Sequence, residues 1–202
     1  MKFDAYLSYL MNSVRDIKLE EIELVISNIF DSYLNSKMVF VIGNGGSAAN
    51  ASHFAQDLAK GTMVSPDSIK RIKALSLTDN LAYISALGND EGFENIFEQQ
   101  LKTFASEGDI LIAISGSGNS PNIIKAVEWG NNNGLLTIGI TGFDGGLLHK
   151  INKLSLHVPL DDMCTVESIH SIVLHYIVIE LKKKIGDEQR MYSKYEYIKK
   201  EK

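Results

Sequence analysis

The stretch Met38–Gly61, MVFVIGNGGSAANASHFAQDLAKG, constrains this chain more than any other. Met38 to Ile42 is an apolar run, too short for a helix and closed by glycine, which reads as a buried strand. In Gly43-Asn44-Gly45-Gly46 the missing Cβ atoms let backbone N–H groups approach a ligand. Ser47 is expected to cap a helix over Ala48 to Lys60. Strand, glycine turn and helix N-terminus make an anion site, because the unpaired N–H groups of the first turn and the helix dipole favour negative charge. His53 and Asp57 fall i, i+4 on that helix. Their Cβ atoms are then about 6 Å apart on one face, as an acid/base or metal-binding pair requires.

The remaining chain alternates strands and helices. Helical spacing covers residues 3–16 and 19–35, and the apolar faces of these two helices pack either on their own domain or in a bundle between subunits. Strands are expected at Ile72–Leu77, Asp109–Ile114, Leu136–Ile140 and Leu154–Val158, the last more polar and placed at an edge. Helices are expected at Asp79–Leu87 (broken by Gly88-Asn89-Asp90), Gly92–Ala105, Pro121–Asn132, Leu147–Lys150 and Met163–Lys184. This order implies an α/β three-layer sandwich, a five-stranded, mostly parallel sheet with helices on both faces and an N-terminal helical pair (1–36). Residues 1–185 read as one domain, and the charged, tyrosine-rich tail 186–202 as partly disordered. Right-handed crossovers open the loops 43–47 and 115–120 on one sheet edge, where ligands bind.

A formal charge of −5, with no basic block in the body of the chain, disfavours nucleic-acid binding. The single cysteine, Cys164, excludes an internal disulfide and fits a reducing compartment. The N-terminus lacks an uninterrupted apolar core of the signal-peptide kind. No apolar stretch approaches the roughly 20 residues that cross a bilayer. A cytoplasmic protein is expected.

The second motif is Ser115-Gly116-Ser117-Gly118-Asn119-Ser120, followed by Pro121 at a helix start. Phosphate wants short donors and close backbone approach, and this loop offers both. It is not a P-loop, since no lysine follows the glycines, and Gly43-Asn44-Gly45-Gly46 lacks the third glycine of a dinucleotide fingerprint. On the last helix, Glu167, His170 and His175 lie among apolar neighbours. Titratable groups there need partners. Two histidines and two carboxylates from two helices would make a zinc-type site of nitrogen and oxygen donors. Spacing alone leaves His170 and His175 both open, and satisfied core histidines are the plain alternative.

These motifs, with Gly88-Asn89-Asp90, Gly139-Ile140-Thr141-Gly142 and Asp161-Asp162, resemble the sedoheptulose 7-phosphate (phosphoheptose) isomerases of the sugar isomerase domain superfamily, from the N-terminal helices to about residue 185. The resemblance implies a cytoplasmic homotetramer with interfacial active sites. It implies ketose–aldose isomerisation of sedoheptulose 7-phosphate to D-glycero-D-manno-heptose 7-phosphate for surface polysaccharide. By position, Asn44, Gly45, Gly46, Ser47, Asn89, Asp90, Ser115, Gly116, Ser117 and Ser120 would bind substrate and its phosphate. His53, Asp57, Glu167 and His175 would hold one Zn2+, favouring His175 over His170. Asp57, His175 and Glu167 are the acid/base candidates.

Two positions depart from the family pattern: Asp57 stands where glutamate is usual, and Glu167 where glutamine is usual. The aspartate is one methylene shorter, so its carboxylate retreats by about 1.5 Å unless the helix shifts, and misplacement of that order can cost about 100-fold. Competing readings are a phosphosugar sensor without turnover, an adaptor of the same fold, or an isomerase of another sugar phosphate. The intact acid/base pair and serine loop favour the enzyme.

Overall fold

A computed structural model describes residues 2–68 and 70–200, with backbone only for 192–200. Met1 of the expected helical pair and residues 201–202 of the expected tail lie outside the described residues. The strands β1 (Met38–Gly43), β2 (Lys73–Ser76), β3 (Ile110–Ser115), β4 (Leu136–Thr141) and β5 (Leu154–His157) form one sheet in the order β2-β1-β3-β4-β5. Every pairing is parallel. The helices are α1 (Phe3–Arg15), α2 (Leu19–Leu34), α3 (Gly46–Gln56), α4 (Leu81–Asp90), α5 (Ile96–Phe104), α6 (Pro121–Asn132), α7 (Leu148–Ile151) and α8 (Met163–Lys200).

The strand sequences show why the sheet is central. β3 is buried along its whole length, as is β1 beyond Met38. A strand covered on both faces needs apolar residues at successive positions, which is how VFVI and ILIAI read. Alternate residues then serve opposite layers. Val39, Val41, Ile110 and Ile112 pack with α2, α3 and α8, including Val25, Ile29, Phe54, Ile169 and Ile177. Phe40, Ile42, Leu111 and Ala113 pack with α5, α6 and α7, including Phe97, Leu101, Val127 and Leu148. The strands β2 and β5, each four residues long, close the two edges.

Several boundaries differ from the sequence expectation. The apolar stripe of α2 (Ile22, Val25, Ile26, Ile29, Tyr33) enters its own core, so the between-subunits reading does not hold for that face. By contrast α1 buries only Ser13 and leaves Phe3 and Met11 exposed. Helix α4 continues through Gly88 to Asp90. One interior glycine costs about 1 kcal/mol against alanine, too little to stop a helix. The stop comes at Gly92, with φ +93°.

The last helix likewise runs through Gly186 to Lys200 instead of ending near Lys184. Tertiary bonds beyond the glycine support it: the Tyr33 hydroxyl donates to Glu188 at 3.1 Å, and the Gln189 amide donates to the Tyr33 oxygen at 3.3 Å. A window of α8 meets the length and hydropathy of a membrane span, contrary to expectation, but half of it is buried inside the fold. Val166, Ile169, Val173, Leu174 and Ile177 account for that burial.

His170 belongs to this buried side. It has no solvent exposure, and its Nε2–H donates to the Thr141 carbonyl at 3.2 Å, while Nδ1 has no partner. Burial drops its pKa from 6.5 to about 4, against the hydrogen bond to Thr141. Between these values the unfolded chain takes up a proton that the folded chain refuses, so stability falls as pH drops through this window. From pH 7 to pH 5 the contribution is about 2 kcal/mol. Urea unfolding at the two pH values should show a loss in wild type larger by about that amount than in His170→Leu. Equal losses would show that His170 is not held neutral.

Candidate active site

The site begins where β1 and β3, paired side by side at Gly43 and Ile114, end. The chain leaving β1 rises into α3 on one face, and the chain leaving β3 enters α6 on the other. Divergent connections from adjacent parallel strands open a crevice at the carboxyl edge of the sheet. Here it is a cleft of about 240 Å³ whose walls are Asn44–Ser47, Ser115–Ser117, Ser120, Met163 and Glu167.

The first wall differs from the expected cap. Gly45, at φ +54° and ψ −123°, occupies the N-cap position, and Ser47 lies buried within the first turn of α3. This backbone conformation suits glycine, so the entry angle is set by the absent side chain and no hydroxyl is needed. The second wall does match: Ser120 is the N-cap of α6 and Pro121 its first residue. Two helix N-termini thus converge on the cleft, with the hydroxyls of Ser115, Ser117 and Ser120. Among the described residues, no lysine or arginine lines it, so what it offers an anion is N–H dipoles and hydroxyls.

The serine loop is braced from behind by residues 142–148. The Gly142 N–H donates to the Gly116 carbonyl at 2.8 Å, the Leu148 N–H to the Gly118 carbonyl at 2.9 Å, and the Leu147 N–H to Asn119 Oδ1 at 3.0 Å. Gly118 has φ +64°, and a Cβ there would overlap the Gly145 carbonyl.

Farther along the same helices lies a second cluster. His53 projects from α3, His175 from α8, and Asp57 opens a π-turn, Asp57–Gly61, that continues α3. The turn is marked by the Thr62 N–H donating to the Asp57 carbonyl at 3.1 Å, an i+5 bond. With that widened backbone, the short aspartate stands 3.4 Å from His53 Nε2 and 3.6 Å from His175 Nε2. The three ligand atoms lie within 4.8 Å of one another around a void of about 10 Å³.

These separations are too long for good charge-assisted hydrogen bonds, which run about 2.7–2.9 Å. The two distances to Asp57 are close to the roughly 3.4 Å between ligands of a tetrahedral ion, while the third separation, up to 4.8 Å, would have to close on binding.

Not every expected residue joins this cluster. Glu167 stays out of the three-donor group, and its carboxylate lies against Gly46, where a Cβ would collide with it. The Asn50 amide, from the wall of the small void, donates to the Glu167 carbonyl at 3.1 Å, so the two sites adjoin along α3 and α8. His170 is in the core, and His175 is the histidine brought to Asp57. Asn89 and Asp90 bond to each other at 2.7 Å on the exposed end of α4 and do not line the cleft. Asn122, absent from the sequence reading, pairs with Asn44 across the crevice. It carried no local signal, because its partner is 78 residues away.

Gly118→Ala should disorder the serine loop without unfolding the sheet. Phosphate binding, read by calorimetry, should weaken by at least tenfold while the melting temperature changes by only a few degrees. Unchanged phosphate affinity would mean that the anion does not sit on this loop.

Residues 2–142 match the SIS domain family. The chain is 35% identical over 180 residues to the phosphoheptose isomerase of Geotalea daltonii, covering 89% of this chain and 92% of that protein. The phosphoheptose isomerase structure from Neisseria gonorrhoeae superposes with a TM-score of 0.81 at 27% identity, covering 89% of this chain and 96% of that one. The Francisella tularensis phosphoheptose isomerase gives 0.82 at 27% identity with the same coverage. With this match in sequence, length and fold, the chain belongs to the phosphoheptose isomerases of the SIS domain family.

Proposed function

We propose that this protein interconverts sedoheptulose 7-phosphate and D-glycero-D-manno-heptose 7-phosphate in the cytoplasm, supplying heptose for surface polysaccharide. One observation carries the reading: the His53–Asp57–His175 cluster adjoins a phosphate-type cleft built on the same two helices. The serine loop takes the terminal phosphate, away from the Glu167 carboxylate, which would repel it. The sugar then extends along α3 and α8 towards Asp57.

Isomerisation moves one proton between C1 and C2 and another between their oxygens, through an enediol. Asp57 is the carboxylate that takes the carbon-bound proton and returns it to the neighbouring carbon. With the cluster free of metal, His175 holds and exchanges the oxygen-bound proton at Nε2. Glu167 is the alternative base. Phosphate binding energy aligns the reacting carbons with these groups. His53, Asp57 and His175 would hold a zinc-type ion, while Glu167, the fourth donor that the resemblance implies, stands apart against Gly46. Such an ion supplies a Lewis acid for the carbonyl and hydroxyl oxygens.

The active form is proposed to be a homotetramer. The cluster histidines are half exposed, at 53% and 49%, and α4 buries none of its residues. Asn89 and Asp90, on that uncovered helix, then reach the cleft of a neighbouring copy.

Purified protein should turn over sedoheptulose 7-phosphate, and Asp57→Asn should lower kcat by about 10²–10⁴-fold. Chelation should lower turnover and zinc should restore it. Zinc titration by calorimetry should give one site per chain, lost in His53→Ala. Saturable binding of the sugar phosphate without turnover would replace the enzyme with a sensor. Turnover indifferent to chelation would keep the isomerase and remove the metal.

A further inference from the structure

The crevice between β1 and β3 is bridged by a pair of side-chain amides. Asn44 Nδ2 donates to Asn122 Oδ1 at 2.8 Å, and Asn122 Nδ2 donates to Asn44 Oδ1 at 2.9 Å. Asn44 belongs to the glycine turn after β1, and its carbonyl accepts from the Ala48 N–H at 3.2 Å, joining it to the first turn of α3. Asn122 is the second residue of α6, just after the serine loop, and is 2% exposed. Its Oδ1 also accepts from the Ile123 N–H at 3.0 Å.

The chemistry of this pair is restrictive. Each side chain uses one donor and one acceptor on the other, on two separate atoms, which an amide can do and an ionised carboxylate or an alkyl group cannot. The two loops leave neighbouring strands for opposite faces of the sheet, so their separation is not set by the ladder that joins β1 to β3. The amide pair spans that gap. It also occupies part of the Asn44 side chain, leaving one N–H and one lone-pair direction for a ligand.

We infer that Asn122 is a positioning residue for the isomerase, which holds the Asn44–Gly46 turn at a set distance from the serine loop through paired hydrogen bonds with Asn44. The inference rests on the reading of this cleft as the sugar-phosphate site. Asn122 touches Asn44 and acts through it. Without the pair, a substrate anchored by its phosphate on the serine loop meets a glycine turn free to move, and the reacting carbons lose their alignment.

The test is a double-mutant cycle of Asn44→Ala, Asn122→Ala and the double variant, read by kcat/KM for sedoheptulose 7-phosphate, hydrogen exchange at residues 45–47 and melting temperature. Asn122→Ala should lower kcat/KM by about 10–100-fold. Amide exchange at 45–47 should quicken by about tenfold at a temperature where the variant stays folded. The double variant should be no worse than Asn44→Ala, since the second change removes nothing that is still acting. Multiplying kinetic effects, or exchange at 45–47 unchanged from wild type, would overturn the inference, as would a deficit that appears only with global unfolding. If Asn122→Ala does not fold, Asn44→Ala breaks the same pair from its more exposed side, and quickened exchange at Asn122 and Ile123 decides the matter. A wild-type protein without turnover whose exchange responds as expected would remove the substrate reading and leave the positioning role standing.

Discussion

The parting of the chain above β1 and β3 is the constraint on which the rest of the structure depends. The strand order reverses between β1 and β3, so right-handed crossovers send their helices to opposite faces, the loops separate and a crevice opens at the carboxyl edge. The glycine turn, the serine loop and two helix N-termini face that crevice because the sheet ends there. It collects the N-termini of two helices, where the dipole favours negative charge without a lysine or arginine among the described lining residues.

The second requirement is a carboxylate held between two imidazoles from different helices. His53 and Asp57 come from one segment, but their approach depends on a π-turn that shifts the backbone at Asp57. His175 arrives from a helix that lies more than a hundred residues later and is buried along its apolar face. The burial of α8 thus places an imidazole beside Asp57. Residues that pack against the sheet do the positioning, and the opposite side of the helix carries His175.

Much of this was legible. The parallel sheet, its strand positions and the edge placement of β5 follow from apolar runs punctuated by glycine and proline. The serine loop announced itself by composition, and Pro121 marked the start of α6 where the structure has it. Helix ends were less readable. Gly88 looked like a stop and the charged segment from Gly186 like a partly disordered tail, yet both glycines sit inside helices, since a single glycine costs only about 1 kcal/mol. Ser47 looked like a cap, but a glycine with positive φ took that place.

By itself, the sequence determined the fold class, the glycine turn and serine loop after two of the strands, and the placing of His53 and Asp57 one turn apart, because each depends on neighbours within about four residues. The tertiary structure decided what depends on distance through space. It set His175 beside Asp57 and put His170 in the core, a choice that spacing along α8 left open. It turned Glu167 towards Gly46 and kept Asn89 and Asp90 out of their own cleft. It also joined Asn44 to Asn122. None of these pairings has a local period or motif, since packing of the helices on the sheet determines which side chains meet.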